Sequence, residues 1–380
     1  MLDERPVSTI IDTVLLKVAS RCNLDCSYCY VYHMGDESWR AQPKRLSERT
    51  AEAIVDQLGA LYRHQRQPFS VVLHGGEPLL LGRERLSALC ASLRSALPHP
   101  CGIHVQTNGV LLTDAMLDIL VTHAVGISIS LDGPEAVHDR FRRDHHGRGS
   151  HSAVAAAIDR IMQRDDARPL FAGILAVVDP VSDPEIVYES LKATGAPSLD
   201  FLVRDGNWDK LPFGKASPYS TEYGSWLARL LRHYIADRDP PRIRLLDDML
   251  RILLGGRGQK EGVGANDYGI LVVEPDGRID KNDTLKVAHP DADRFEESWS
   301  IHSHTLIDVV ESPAFASYYR QQRPTAAACR NCELLHICGG GMVAHRWGLE
   351  RGFDNPTVFC ADQKYLIAQM RAALTIAKAS

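Results

Sequence analysis

Six strand-then-helix patterns in the first two-thirds of this 380-residue chain restrict its fold more than any other feature. Thr13 to Ala19, Ser70 to Leu73, His104 to Thr107, Gly126 to Leu131, Phe171 to Val178 and Leu199 to Val203 read as short apolar strands. Ser47 to Leu61, Glu84 to Leu97, Thr113 to His123, His151 to Arg164, Asp183 to Thr194 and Thr221 to Asp237 carry apolar residues at helical spacing. Strands joined through helices lie parallel, since each helix carries the chain back to the start of the next strand. Six units fall short of the eight that close a full barrel, so residues 1–255 are predicted to form an α/β partial (β/α)6 TIM barrel.

The pattern changes near residue 255. Gly255, Gly256, Gly258, Gly262 and Gly264 read as a loop. Gly269 to Ile279 reads as a hairpin turning at Pro275-Asp276-Gly277. Pro313 to Arg323 fits a short helix, and Gln363 to Ala377 a closing amphipathic one. Residues 256–380 are therefore expected to form a small C-terminal α+β domain.

With 44% hydrophobic residues the chain can bury a core, and its formal charge of −5 calls for neither nucleic acid nor an anionic membrane. No apolar run approaches the ~18 residues of a spanning helix. Met1 to Thr13 mixes acids with Arg5 and Pro6 and does not read as a signal peptide. A cytoplasmic protein is expected, and there clustered cysteines point to metal before disulfide.

The nine cysteines are clustered. Cys22, Cys26 and Cys29 follow the first strand, at the end where such barrels build their sites. Three thiolates can hold three irons of a cubane cluster and leave the fourth open to a small molecule. A zinc loop using His33, or a conventional ferredoxin cluster, is the alternative. Leu73-His74-Gly75-Gly76-Glu77-Pro78 ends the second strand. Its glycines let the backbone approach a ligand, and Glu77 can accept from an ammonium group. Cys329, Cys332, Cys338 and Cys360 form a complete four-thiolate set, for iron–sulfur or for structural zinc. Cys90 and Cys101 stand alone and read as ordinary buried thiols.

With Gln106-Thr-Asn108-Gly109, Ser128-Ile-Ser130-Leu-Asp132-Gly133 and His138-Asp-Arg-Phe-Arg142, these motifs make the chain resemble the radical S-adenosylmethionine superfamily over about 1–240. The resemblance implies a 4Fe–4S cluster on Cys22, Cys26 and Cys29, with S-adenosylmethionine on its open iron. It further implies that Gly75, Gly76 and Glu77 hold the methionyl amine and that Tyr28 lies near adenine. Asn108, Ser130 and Arg142 become candidates for ribose and carboxylate contacts, Arg142 being equally readable as a surface ion-pair residue.

The cysteine-rich end resembles the SPASM extension of peptide-modifying radical enzymes, with a departure. Met342 and Asn282 stand where relatives with two auxiliary clusters carry cysteines, so a single second 4Fe–4S cluster is expected, on Cys329, Cys332, Cys338 and Cys360. Phe201 to Asp209, Asp280 to Lys286, Cys338 to Gly341, His345-Arg346 and Gly352 to Asp362 resemble the three-residue cyclophane-forming peptide maturases. That implies crosslinking of an aromatic ring to a side-chain β-carbon in a ribosomal precursor peptide bearing a leader. An electron donor such as flavodoxin or ferredoxin would be a partner, and neither nucleic acid nor membrane would. Asp283 is the candidate proton acceptor, or else a solvated turn residue; His345 and Arg346 are substrate-side candidates or plain loop contacts. Thioether, epimer or formylglycine formation on the same scaffold is the competing activity.

Overall fold

The structure is a computed structural model describing residues 9–265 and 267–379. Residues 1–8, most of the stretch inspected above for a signal sequence, lie outside the described residues. The six expected strands are present as β1 (Thr13–Ala19), β2 (Ser70–Gly75), β3 (Ile103–Thr107), β4 (Gly126–Ser130), β5 (Phe171–Val177) and β6 (Ser198–Leu202). All five neighbouring pairs among them are parallel.

Their register explains the two faces of the sheet. Paired residues in parallel neighbours point the same way. Leu16 pairs with Leu73, Leu73 with Val105 and Val105 with Ile127, and all four are fully buried beneath the helices. One residue on, Lys17 pairs with His74 and Gln106 with Ser128, a polar row on the opposite, barrel-interior face. The helix Glu48–Gln65 shows how the outer layer is set. The Ser47 side chain accepts from the Thr50 N–H at its start, Ile54, Leu58 and Leu61 bury one stripe, and Arg66 ends it at φ +53°.

Three elements depart from the sequence reading. The two-residue strand β7 (Arg242–Ile243) and the helix Arg244–Leu253 extend the barrel beyond β6; Leu246, Met249, Leu250 and Leu253 carry a helical spacing that the six-unit reading left out. The expected hairpin exists as β8 (Ile270–Val273) antiparallel to β9 (Arg278–Asp280), with β10 (Trp299–Ser300) beyond. Yet β8 also lies parallel to β1, from Thr13 opposite Ile270 to Leu16 opposite Val273. The outer edge of β1 would otherwise expose unpaired N–H and C=O groups. The described strands thus form one sheet, β10-β9-β8-β1-β2-β3-β4-β5-β6-β7, running across position 255.

The closing helix starts at Cys360 rather than Gln363 and packs on the helix Glu222–Ala236. Contact is close at Gly224, where an added Cβ would lie 2.6 Å from the Asp362 carbonyl. Asp362 clamps the junction: Oδ1 accepts from the Gly224 N–H at 2.7 Å and Oδ2 meets Lys215 Nζ at 2.6 Å. No described helix is long and apolar enough to cross a membrane.

Candidate active site

The loops after β1 to β6 surround a cavity of about 190 Å³. Cys22, Cys26, Cys29, Tyr28, Gly75, Gly76, Glu77, Asn108, Ser130 and Arg142 all line it, although the sequence spreads them over 121 positions. The cysteine loop and the glycine loop are tied by main chain: Gly76 N–H donates to the Ala19 carbonyl at 2.8 Å, and Glu77 N–H to that of Arg21 at 2.9 Å. Side chains do not fit there. An added Cβ would lie 2.0 Å from the Ala19 oxygen at Gly75, whose φ is +140°, and 2.1 Å from Tyr32 Oη at Gly76.

The three thiols are unbridged. Burial pushes Cys22 up to about 12 and Cys29 up to about 11, and raises Cys26, against which the Arg142 guanidinium pulls down. Such thiols stay protonated unless a metal replaces the proton, and metal binding releases it. Three unbridged thiols on one loop, facing one cavity beside a cation, fit the three-ligand iron–sulfur cluster that the motif implies. The second group gathers likewise: Cys329, Cys332, Cys338 and Cys360 line one small pocket, with Gly340 N–H donating to Cys338 Sγ at 3.3 Å. This set suits a closed four-thiolate cluster. Cys90 and Cys101 are fully buried in the core, as expected.

Several expected roles are reshaped by geometry. Glu77 is fully buried, and its carboxylate already binds the barrel together. Oε1 accepts from Leu79 N–H (3.0 Å) and Thr107 Oγ1 (2.7 Å), and Oε2 from Asn108 N–H (2.8 Å). Burial pushes it up to about 7 against these hydrogen bonds, and one lone pair of Oε2 is left for a ligand amine. The Asn108 amide is likewise engaged, donating to Asn23 Oδ1 at 2.8 Å beside Cys22 Sγ at 3.7 Å, so it positions the cysteine loop. Ser130 Oγ accepts from Gln106 Nε2 at 3.0 Å. Arg142 is not a surface ion-pair residue: it is buried, with Nε 3.0 Å from Asp132 Oδ2. Tyr28 donates its hydroxyl to the same Asp132 oxygen, and two guanidiniums flank its ring, Arg142 at 5.4 Å and Arg204 at 4.9 Å.

Asp283 is not the solvated turn residue of the alternative reading: it is 1% exposed, 3.0 Å from Lys17 Nζ and 2.9 Å from Tyr30 Oη. Burial alone would raise its carboxyl, but Lys17 and His74 outweigh burial and hold it at about 2, so it is ionised near neutrality. His345 and Arg346 separate. Arg346 is buried and donates to the Gly340 and Gly341 carbonyls at 2.9 and 2.6 Å, holding the cysteine segment. His345 Nε2 meets Asp205 Oδ1 at 3.1 Å, at the barrel cavity.

Sequence reasoning missed Arg204. Only 5% exposed, it lies 3.7 Å over Phe141, 4.6 Å over Phe213 and 4.9 Å over Tyr28, while Nε and Nη2 have no hydrogen-bond partner among the described residues. No spacing or composition cue marks such a residue, because its neighbours come from separate loops.

Comparison with known proteins agrees with this architecture. Residues 16–173 match the Radical SAM superfamily. Those residues thus match a radical SAM domain, and they hold the parallel strands β1 to β5 of a partial-barrel α/β sheet. It is 26% identical to a serine-type anaerobic sulfatase-maturating enzyme of Klebsiella aerogenes over 90% of this chain and 82% of that one. It is 24% identical to a cysteine-type enzyme of Clostridium novyi over 96% of each. Among solved structures it is similar to native anSMEcpe with bound AdoMet, with a TM-score of 0.80 at 22% identity over 96% and 98% of the chains. It is also similar to Streptococcus suis SuiB bound to precursor peptide SuiA, with a TM-score of 0.60 at 13% identity over 88% and 72%.

Proposed function

We propose that this protein is a radical S-adenosylmethionine enzyme that oxidises a side chain of a peptide or protein by removing two hydrogens, the first from a β-carbon. The observation that carries this reading is the convergence of Cys22, Cys26 and Cys29 with the Gly75–Glu77 main chain on one cavity, in a chain alike nearly end to end to sulfatase-maturating enzymes. Cys22, Cys26 and Cys29 would hold a 4Fe–4S cluster, which with S-adenosylmethionine would supply the chemistry of hydrogen-atom abstraction. The chain's own residues prepare the place: Gly75 and Gly76 admit the ligand's backbone-close end, Glu77 Oε2 accepts from its ammonium group, and Ser130 and the Arg142–Asp132 pair face its polar groups. Cys329, Cys332, Cys338 and Cys360 would hold the second cluster.

Two products share this chemistry. Formylglycine formation from serine or cysteine has the better support, because the sulfatase-maturating relatives match along most of both chains. Cyclophane formation in a precursor peptide is the second reading, supported by the segments from Phe201 onward and by Met342 and Asn282 at positions of missing ligands. In either case flavodoxin or ferredoxin would supply the electron, and the polypeptide would dock without membrane or nucleic acid.

The test is anaerobic reconstitution with two synthetic peptides, one bearing a serine or cysteine target and one bearing Trp-Xaa-Asn, each deuterated at the target β-carbon. Deuterium should appear in 5′-deoxyadenosine with a product two hydrogens lighter, which for a cysteine target is the thioaldehyde that water converts to formylglycine with release of hydrogen sulfide. Replacing Cys22, Cys26 and Cys29 by alanine should abolish it. Cofactor cleavage that survives the triple replacement would overturn the reading.

A further inference from the structure

Arg204 stands in the wall of the barrel cavity with its charge unpaired. It follows β6, lines the cavity and is only 5% exposed. Three rings from separate loops surround its guanidinium: Phe141 at 3.7 Å, Phe213 at 4.6 Å and Tyr28 at 4.9 Å. Ring faces attract a cation, but they do not replace the hydrogen bonds a guanidinium makes to a carboxylate. Nε and Nη2 are buried and have no hydrogen-bond partner among the described residues. These two nitrogens share one edge of the planar group, an edge that grips a carboxylate through two parallel hydrogen bonds.

The neighbouring acids do not serve it. Asp132 is held by Arg142 at 3.0 Å and by the Tyr28 hydroxyl, Asp179 by Arg140 at 3.0 Å, and Asp205 by His345 at 3.1 Å. Burial accordingly disfavours the charged form of Arg204. A buried cation without a partner destabilises the fold, and a partner that arrives with a ligand returns that energy as binding. Arg142, the other arginine lining this cavity, is satisfied within the chain.

We propose that Arg204 is a specificity residue that receives a carboxylate of the substrate polypeptide, from an aspartate or glutamate side chain close in sequence to the oxidised residue. The inference rests on the peptide-oxidising reading above and adds a substrate class to it. Position favours the polypeptide over the methionyl carboxylate of the cofactor. A ligand seated on the cysteine loop meets Arg142, which hydrogen-bonds Cys26. Arg204 stands elsewhere, at the end of β6. Its chain neighbours Leu202, Val203 and Asp205 line both this cavity and a second one, of about 310 Å³, walled by Phe201, Leu227, Met249 and Phe359. A polypeptide lying across the two cavities passes Arg204. Phe213, at 43% the most exposed of the three rings, turns aside to admit the carboxylate.

The test uses the two target peptides with aspartate, and separately asparagine, at each non-reacting residue within two positions of the target. Fluorescence anisotropy on the iron-loaded protein with S-adenosylmethionine present measures binding. At one or more positions the parent should bind the aspartate peptide at least about tenfold tighter than the asparagine peptide, the yield of a hydrogen bond between charged groups. Arg204→Met should remove the preference, so that its effect and that of aspartate-to-asparagine replacement do not add. Arg204→Lys, which keeps the charge without the fork, should retain part of it. With the aspartate peptide, Arg204→Met should raise KM and leave deuterium transfer at saturation within about twofold of the parent's. Equilibrium dialysis should give the parent's affinity for S-adenosylmethionine. A parent that moves deuterium yet shows no aspartate preference at any position, or a preference that survives Arg204→Met, overturns the inference alone. So does weakened cofactor binding in Arg204→Met, which would assign the guanidinium to the methionyl carboxylate. A preference undiminished in Arg204→Lys overturns it as well, and that variant carries the test if the Met variant does not fold. A parent enzyme that transfers no deuterium from either peptide overturns the functional reading and this inference with it.

Discussion

Lys17→Met should be among the most damaging single substitutions outside the cysteines. Lys17 sits on β1 with its side chain 5% exposed, and Nζ lies 3.0 Å from Glu274 Oε1 and 3.0 Å from Asp283 Oδ2. Those acids follow β8 and β9, so the ammonium pins the C-terminal segments to the barrel strand that leads into the cysteine loop. Methionine keeps the volume and removes the charge. Two buried carboxylates then face one another with Lys286, 3.6 Å from Glu274, as the nearest remaining cation for that acid. Deleting one partner of a buried pair costs about 3–5 kcal/mol. Urea denaturation of the iron-loaded protein, followed by circular dichroism, measures the loss. Lys17→Met with Asp283→Asn should recover at least about 1 kcal/mol of it, the signature of coupled neighbours. The pH dependence carries a sign. A carboxylate held at about 2 contributes stability above its usual 3.8 and loses it as pH falls toward 2. Lys17→Met forfeits that contribution, so the gap between parent and variant should close as pH drops from about 5 to about 2. A cost below about 1 kcal/mol, or no coupling to Asp283→Asn, would refute the argument that this lysine compensates buried charge.

Three further outcomes are expected. Cys332→Ala should lower iron from about eight to about four per chain, measured on reconstituted protein; near twelve in the parent would contradict the two-cluster reading. Gly75→Ala should abolish cofactor binding measured by equilibrium dialysis, because the added Cβ meets the Ala19 carbonyl 2.0 Å away; unchanged binding would show that the two loops yield. Glu77→Gln should cost about 1–3 kcal/mol, since one amide oxygen cannot serve all three donors. Because burial raises Glu77 to about 7, its favourable protonated state is complete below about 4.5 and lost as pH rises through 7, so the deficit of the Gln variant should shrink from acid to mildly alkaline pH in parallel denaturation series.

The chain's local chemistry announced much of this. Alternation of apolar runs and helical stripes is a local property, and it located the six strands within a few residues of where they lie. Cysteine spacing is equally local, so both thiol groups were legible, as were the glycines, whose need for a missing side chain shows as a motif. Tertiary structure alone decided the rest, because it depends on which distant segments become neighbours. The β8 strand joins the free edge of β1, a pairing that two-residue periodicity cannot encode. Asp283 could be a proton acceptor or a solvated turn acid on the sequence alone, and the fold buries it against Lys17, 266 positions away. Charge state follows burial and partners, and both are fixed only when the chain has closed on itself.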